Sequence, residues 1–155
     1  MSWKRASSRT GIVSSFAVIV LALTGCATVS TGNPAKPFVQ TTDLHCTLPT
    51  NCVTSQDNRS VAPLIFAGTT AEGLAQLRAT LQTFPESTVQ AATDTTLVAI
   101  FTTPAGFRDI VEFRIDSLLH RIDFRSHSSF GLFDFGKNRA RMTEFATRFV
   151  QKAMQ

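Results

Sequence analysis

Two consecutive stretches of the chain alternate between apolar and polar residues, and this alternation constrains the fold more than any other feature. Within the candidate strands 107–116 and 120–126, apolar and charged side chains alternate strictly over residues 111–116 and 121–125. The alternating apolar residues are Val111, Phe113, Ile115, Ile122 and Phe124. Because successive side chains of a strand point to opposite sheet faces, this period predicts two strands with one buried face. Their short connection makes them antiparallel.

The flanking segments complete a predicted α+β domain. Thr69-x-x-Glu72 matches a capping box and precedes a helical stripe of leucines. Met142, Phe145 and Phe149 share one face of a second helix. The predicted elements are helix 70–84, strands 87–92, 96–103, 107–116 and 120–126, and helix 138–154. We expect a two-layer domain: an antiparallel meander of about four strands, packed on its apolar face by an N-terminal and a C-terminal helix.

The N-terminus carries the features of an export signal. Three basic residues precede the apolar run 11–23, whose 13 residues are too few to span a bilayer as a helix. The run ends in Leu23-Thr24-Gly25-Cys26, which resembles the lipobox of bacterial lipoproteins. In that family the cysteine is lipidated and the chain is cleaved directly before it. The resemblance therefore implies lipidation at Cys26.

This signal divides the chain into three predicted parts. Residues 1–25 are the signal peptide, 26–42 a flexible tether rich in Thr, Ser, Gly and Pro, and 43–155 a single globular domain. Ala27 follows the lipidated cysteine, and by resemblance to enteric sorting this indicates the outer membrane. We expect a lipid-anchored protein of the bacterial envelope, facing the periplasm, with the membrane as partner through its N-terminal lipid.

The charge balance argues against nucleic-acid binding. The whole chain has 15 Lys+Arg and 11 Asp+Glu, but the signal peptide carries three of the cations and no acid. The mature chain would therefore keep 12 cations against 11 acids. The basicity belongs mainly to the export signal, and no nucleic-acid partner is expected.

Two cysteines, Cys46 and Cys52, remain once Cys26 is lipidated. An even pair in an oxidising compartment predicts a disulfide. The loop that it closes is short, so the chain-entropy contribution to stability is only about 2.4 kcal/mol. A metal site that includes His45 is the alternative, but C-x5-C is an unusual ligand spacing, and we expect no metal.

The segment between the last strand and the final helix concentrates polar groups. These are Arg125, Ser126, Ser128, Asp134, Asn138, Arg139 and Arg141. One interpretation is an anion site with two guanidinium groups at a helix start. We favour a structural interpretation, with Asn138 as the helix N-cap, Asp134 accepting backbone N–H groups, and an arginine neutralising Asp134. It predicts that Arg125, Asp134, Asn138 and Arg141 form one hydrogen-bonded cluster.

Signals for catalysis or cofactors are weak. The chain lacks H-E-x-x-H, G-x-S-x-G and C-x-x-C, so no catalytic residue and no cofactor is assigned. A hydrolase that combines a serine of the segment with His120 or His127 remains the enzymatic alternative. Phe130, Phe133 and Phe135 are expected to return to the core; if exposed, they would line an apolar pocket or meet a membrane.

Several short motifs, in order, resemble domain of unknown function family 1499, which occurs in bacterial envelope lipoproteins and in plastids. They are Asn51-Cys52-Val53-Thr54-Ser55, Pro63-Leu64-Ile65-Phe66, Phe107-x-Asp109-x-x-Glu112-Phe113 and the polar segment from Arg125 to Arg141. The resemblance covers 45–152 and implies one domain in the envelope, but no activity. We expect a non-enzymatic binding or structural module with an unknown protein or small-molecule partner. The alternative is a hydrolase or small-anion-binding protein with its site around 125–141.

Overall fold

The computed structural model describes residues 43–57 and 61–154. The predicted signal peptide, the lipidation site Cys26 and the tether 26–42 lie outside the described residues. Within the described part of the chain, no helix has the length and apolar character needed to cross a bilayer.

The described chain forms one antiparallel sheet and two helices. In chain order the elements are β1 (Cys52–Thr54), β2 (Leu64–Ile65), α1 (Thr70–Leu81), β3 (Ser87–Ala92), β4 (Thr96–Thr102), β5 (Arg108–Asp116), β6 (Arg121–Ser128) and α2 (Lys137–Ala153). The strand order is β1-β6-β5-β4-β3, and β2 also pairs with β6. All pairings are antiparallel. The α+β class is confirmed, with six strands in place of about four, because β1 and β2 are too short to show a period.

The alternation along β5 and β6 separates the two faces of the sheet as predicted. Val111, Phe113 and Ile115 of β5 join the buried core, as do Ile122 and Phe124 of β6. Both helices contribute to this same core through Leu77 and Leu81 of α1 and Met142, Phe145 and Phe149 of α2. The packing is aromatic at its centre, where the Phe145 ring lies 5.2 Å from that of Phe113.

The start of α1 is fixed by the predicted capping box. Glu72 N–H donates to the Thr69 hydroxyl at 3.3 Å, and Thr69 N–H donates to the Glu72 carboxylate at 2.7 Å. The hydrogen bonds from Thr69 lower the pKa of Glu72. The helix ends at Leu81, before the predicted end at residue 84, because Phe84 N–H bonds to the Leu81 carbonyl in a tighter turn.

The predicted disulfide joins Cys46 to Cys52, with Cα atoms 5.7 Å apart. It closes a segment, here called the bridge loop (residues 46–52), that leads directly into β1. Among the described residues, no group of three histidine, cysteine or acidic side chains is placed to hold a metal ion.

Candidate functional site

Asn138 lies at the centre of a buried polar network on the helix side of the sheet. Its side-chain oxygen accepts hydrogen bonds from the Ser126 hydroxyl at 2.6 Å and from Arg141 Nη1 at 2.9 Å. Its side-chain nitrogen donates to the Asn51 carbonyl at 3.1 Å and to the Ser128 hydroxyl at 3.2 Å. Both ends of the amide are satisfied, which is what full burial of this side chain requires.

Arg141 connects this network to a buried carboxylate. Its Nη2 donates to Asp109 Oδ2 at 2.5 Å, and both side chains are nearly excluded from solvent. The guanidinium also lies 4.9 Å from the ring centroid of Phe101. Together, Asp109, Ser126, Ser128, Asn138 and Arg141 are called the Asn138 network. Asp109 was missed as a partner, although it shares the sheet face of Val111 and Phe113, where a carboxylate needs a cation.

Asp134 organises the start of α2. Its Oδ1 accepts Gly136 N–H and its Oδ2 accepts Asn138 N–H, each at 2.9 Å. Gly136 precedes the helix with a φ of +76°, a conformation that glycine tolerates. The prediction that Asn138 is the N-cap is wrong, because Asn138 is the second residue of α2 and its side chain is inside the network.

Arg125 lies on the opposite face of the sheet from the Asn138 network. Its Nε donates to Glu112 Oε2 at 2.6 Å, and its Nη1 donates to the His45 carbonyl at 3.1 Å. Arg125 and Ser126 are adjacent in β6, so their side chains point to opposite faces. The prediction that Arg125 belongs to one cluster with Asp134, Asn138 and Arg141 is therefore wrong. Arg141 bonds to Asn138 as predicted. The prediction that Arg125 or Arg141 neutralises Asp134 is also wrong, because Arg125 pairs with Glu112 and Arg141 with Asp109.

The two histidines considered for catalysis lie apart from the buried serine. His127 alternates with Ser126, and its Nδ1 is 3.4 Å from the Ser128 carbonyl. His120 lies in the turn between β5 and β6, with its ring 5.5 Å from that of Phe66. The Ser126 hydroxyl donates to Asn138. No described contact joins a serine hydroxyl to a histidine ring.

We expect stability to fall with acidity because of His127. Burial lowers the pKa of His127, and the charge of Arg125 lowers it further. On unfolding, the imidazole regains its ordinary pKa of about 6.5, so the unfolded chain binds a proton more readily. The free energy of unfolding should therefore decrease as the pH falls below about 6.5, until the pKa of the folded state is passed.

Urea denaturation at a series of pH values between about 7.5 and 5 measures this slope. His127→Gln should flatten it, because the variant has no imidazole to titrate at this position. Equal slopes in the wild type and in His127→Gln would contradict the prediction.

A cleft of about 260 Å³ opens beside the Asn138 network. One wall is the connection from β6 to α2, called the phenylalanine loop (residues 129–136), and the other is the β4–β5 hairpin (103–107). Four phenylalanines line the cleft: Phe107, Phe130, Phe133 and Phe135. They are 55%, 78%, 64% and 93% exposed, so the prediction that the last three return to the core is wrong.

The bridge loop holds the phenylalanine loop in place. The Thr50 hydroxyl donates to the Leu132 carbonyl at 2.5 Å, and the Asn51 side chain donates to the Gly131 carbonyl at 2.6 Å. Asp134 N–H donates to the Thr50 carbonyl at 3.2 Å. These bonds attach the backbone of the phenylalanine loop to the bridge loop, which the disulfide closes. The backbone that carries the exposed rings is therefore held in one conformation.

Phe135 combines exposure with an unfavourable backbone conformation. Its φ is +55°, in the left-handed region that a bulky side chain rarely adopts. Such a conformation typically costs about 1–3 kcal/mol and is concentrated at functional sites. Since the ring is almost fully exposed, burial of the side chain does not offset this cost in the isolated domain. The strain makes the phenylalanine loop the leading candidate for a functional surface.

Comparison with known proteins places this architecture in a family. The family model described as a protein of unknown function, DUF1499, matches residues 44–149. The chain belongs to the DUF1499 family. The match includes the bridge loop, the Asn138 network and the phenylalanine loop, so all three lie within the DUF1499 domain. Neither the curated proteins nor the solved structures give a match.

Proposed function

We propose that this DUF1499 protein is an envelope lipoprotein whose domain is a non-enzymatic binding module. The aromatic cleft between the phenylalanine loop and the β4–β5 hairpin is its binding site, and the ligand is apolar or amphipathic. One observation carries this proposal: four phenylalanine side chains that line a single cleft are each more than half exposed. Covering such surface is favourable by roughly 25 cal/mol per Å².

The polar groups near the cleft support binding over catalysis. The Ser126 hydroxyl and the Asn138 amide satisfy each other inside the domain, which leaves this serine committed to structure. The anion-binding alternative is weakened in the same way, because the guanidinium groups of Arg125 and Arg141 already pair with buried carboxylates. A ligand recognised mainly through apolar contact requires none of these groups to be released.

Calorimetric titration of the full-length protein with dodecanoate tests the cleft. Replacing Phe107 and Phe133 together with alanine removes two of its apolar walls, and we expect the affinity to fall about tenfold or more. Leu118→Ala is the matched control, since Leu118 is 90% exposed but lies at the opposite end of β5. The proposal fails if dodecanoate does not bind, or if the double variant binds as the wild type does.

The lipobox supports the anchoring part of the proposal, and Cys26→Ala tests it separately. Two or three acyl chains, each worth about 0.8 kcal/mol per buried CH₂, provide stable membrane anchoring. Cys26→Ala should therefore yield an uncleaved or soluble species in membrane fractionation. Recovery of this variant at mature size and fully in the membrane fraction would refute lipidation at Cys26.

A further inference from the structure

One end of the domain combines exposed aromatic rings with an apolar neighbour. Phe130, Phe133 and Phe135 project from the phenylalanine loop, and Leu132 between them is also 68% exposed. Phe107 extends this surface from the β4–β5 hairpin across the cleft. This surface, with the first turn of α2, is called the aromatic end. A continuous set of exposed apolar side chains of this kind marks an interaction surface.

Positive charge surrounds these rings. Arg108 begins β5 beside Phe107, and Lys137 and Arg139 lie in the first turn of α2; all three are exposed. Two acids of this region have partners in the fold: Asp109 is bound by Arg141, and Asp134 accepts backbone N–H groups. A third, Glu86, is exposed, and its carbonyl accepts Thr102 N–H beside the β4–β5 hairpin. The exposed charges of the aromatic end itself, on Arg108, Lys137 and Arg139, are therefore positive. This complements an anionic surface.

The bridge loop, which follows the first described residues, also lies at this end. Cys46 is bonded to Cys52, and Thr50 of the same bridge loop bonds to the phenylalanine loop. The first described residue, Asp43, is three positions before Cys46. If residues 27–42 form the flexible tether that their composition predicts, its root-mean-square reach is about 20–24 Å. A lipid anchor at Cys26 would therefore keep the domain within reach of the bilayer.

We propose that the aromatic end docks on the surface of an anionic phospholipid bilayer. Phe130, Phe133 and Phe135 enter the boundary between headgroups and acyl chains, and the cations of Arg108, Lys137 and Arg139 meet lipid phosphates. This inference rests on the proposed function, since the aromatic cleft then receives an acyl chain of a lipid that remains in the membrane. Three such contacts favour the docked state by on the order of a hundredfold over a neutral bilayer.

A single introduced tryptophan can report on this docking, because Trp3, the only tryptophan in the chain, lies in the predicted signal peptide and is absent from the mature protein. Lipidated mature protein that carries Phe135→Trp is reconstituted in vesicles of phosphatidylethanolamine and phosphatidylglycerol that contain brominated lipid. We expect blue-shifted emission and strong quenching. Leu118→Trp, at the opposite end of β5, is the matched control and should remain unquenched. Phosphatidylcholine vesicles, high salt, or Arg108→Gln with Lys137→Gln should each reduce the quenching of the Phe135→Trp reporter.

Three outcomes would overturn the inference. The first is that the Phe135→Trp reporter is not quenched, and the second is that both reporters are quenched equally. The third is that the emission shifts with protein concentration in the absence of vesicles, which would indicate that a second copy of the chain covers the aromatic end. Dodecanoate titration of the wild-type protein, whose cleft is unaltered, separates this failure from that of the proposed function. Retained dodecanoate binding without quenching leaves the cleft as a site for a soluble ligand, whereas loss of both refutes both proposals.

Discussion

Arg141→Ala is expected to lower the free energy of unfolding by about 3–5 kcal/mol. The substitution leaves the Asp109 carboxylate, 5% exposed, without the guanidinium that neutralises it at 2.5 Å. It also removes one donor from Asn138 and the contact with the Phe101 ring. A buried charge that has lost its partner accounts for most of the expected effect. Urea denaturation followed by circular dichroism measures the change.

Arg139→Ala provides the comparison for this prediction. Arg139 is an exposed arginine two positions away on the same helix, and its replacement should change stability by no more than about 0.5 kcal/mol. The double variant Asp109→Ala with Arg141→Ala should be less destabilised than the sum of its single variants, because neither charge is then stranded. Additive losses would show that the ion pair is not coupled.

Asn138→Ala is expected to cost about 3 kcal/mol of stability. It removes an amide that makes four hydrogen bonds, and it leaves the Ser126 hydroxyl and Arg141 Nη1 without this acceptor inside the fold. Each stranded buried group costs about 1–3 kcal/mol, and members of one network reinforce each other. Thermal and urea denaturation measure the loss, with the exposed Lys137→Ala as a control on the same helical turn.

The same variant distinguishes a structural role of Asn138 from ligand contact. If Asn138 acts only through the fold, dodecanoate affinity measured well below the melting temperature should remain near the wild-type value. A large loss of affinity in folded Asn138→Ala, with little loss of stability, would contradict the structural interpretation of the network.

The central strands of the sheet were predictable because apolar and polar residues alternate along each of them. Residues 107–116 and 120–126 alternate, and the structure places β5 and β6 within about two residues of those bounds. Thr69 and Glu72 marked the start of α1 through a local rule that needs no tertiary information. By contrast, β1 has three residues and β2 two, and their pairing with β6 depends on contacts distant in sequence.

The site was predictable only in part, and its main error came from a rule that was available. The alternation that puts His127 and Ser126 on opposite faces of the sheet also puts Arg125 and Ser126 on opposite faces. It therefore predicts that Arg125 lies away from Asn138. The same alternation put Asp109 on the apolar face, where its need for Arg141 could have been inferred. The exposure of Phe135 had no such signal, because three nearby phenylalanines normally predict burial.

Because of the disulfide between Cys46 and Cys52, the conformation of the aromatic end depends on whether the compartment that holds the protein is oxidising. The bridge closes the segment from which Thr50 and Asn51 hold the phenylalanine loop. In a reducing compartment Cys46 and Cys52 would remain thiols. Thr50 and Asn51 would then hold the phenylalanine loop from a bridge loop that no disulfide closes. We therefore expect newly made protein to carry an incomplete aromatic surface that matures on oxidation. A chain that has not yet left the cytoplasm would then bind apolar surfaces less strongly than the oxidised protein does.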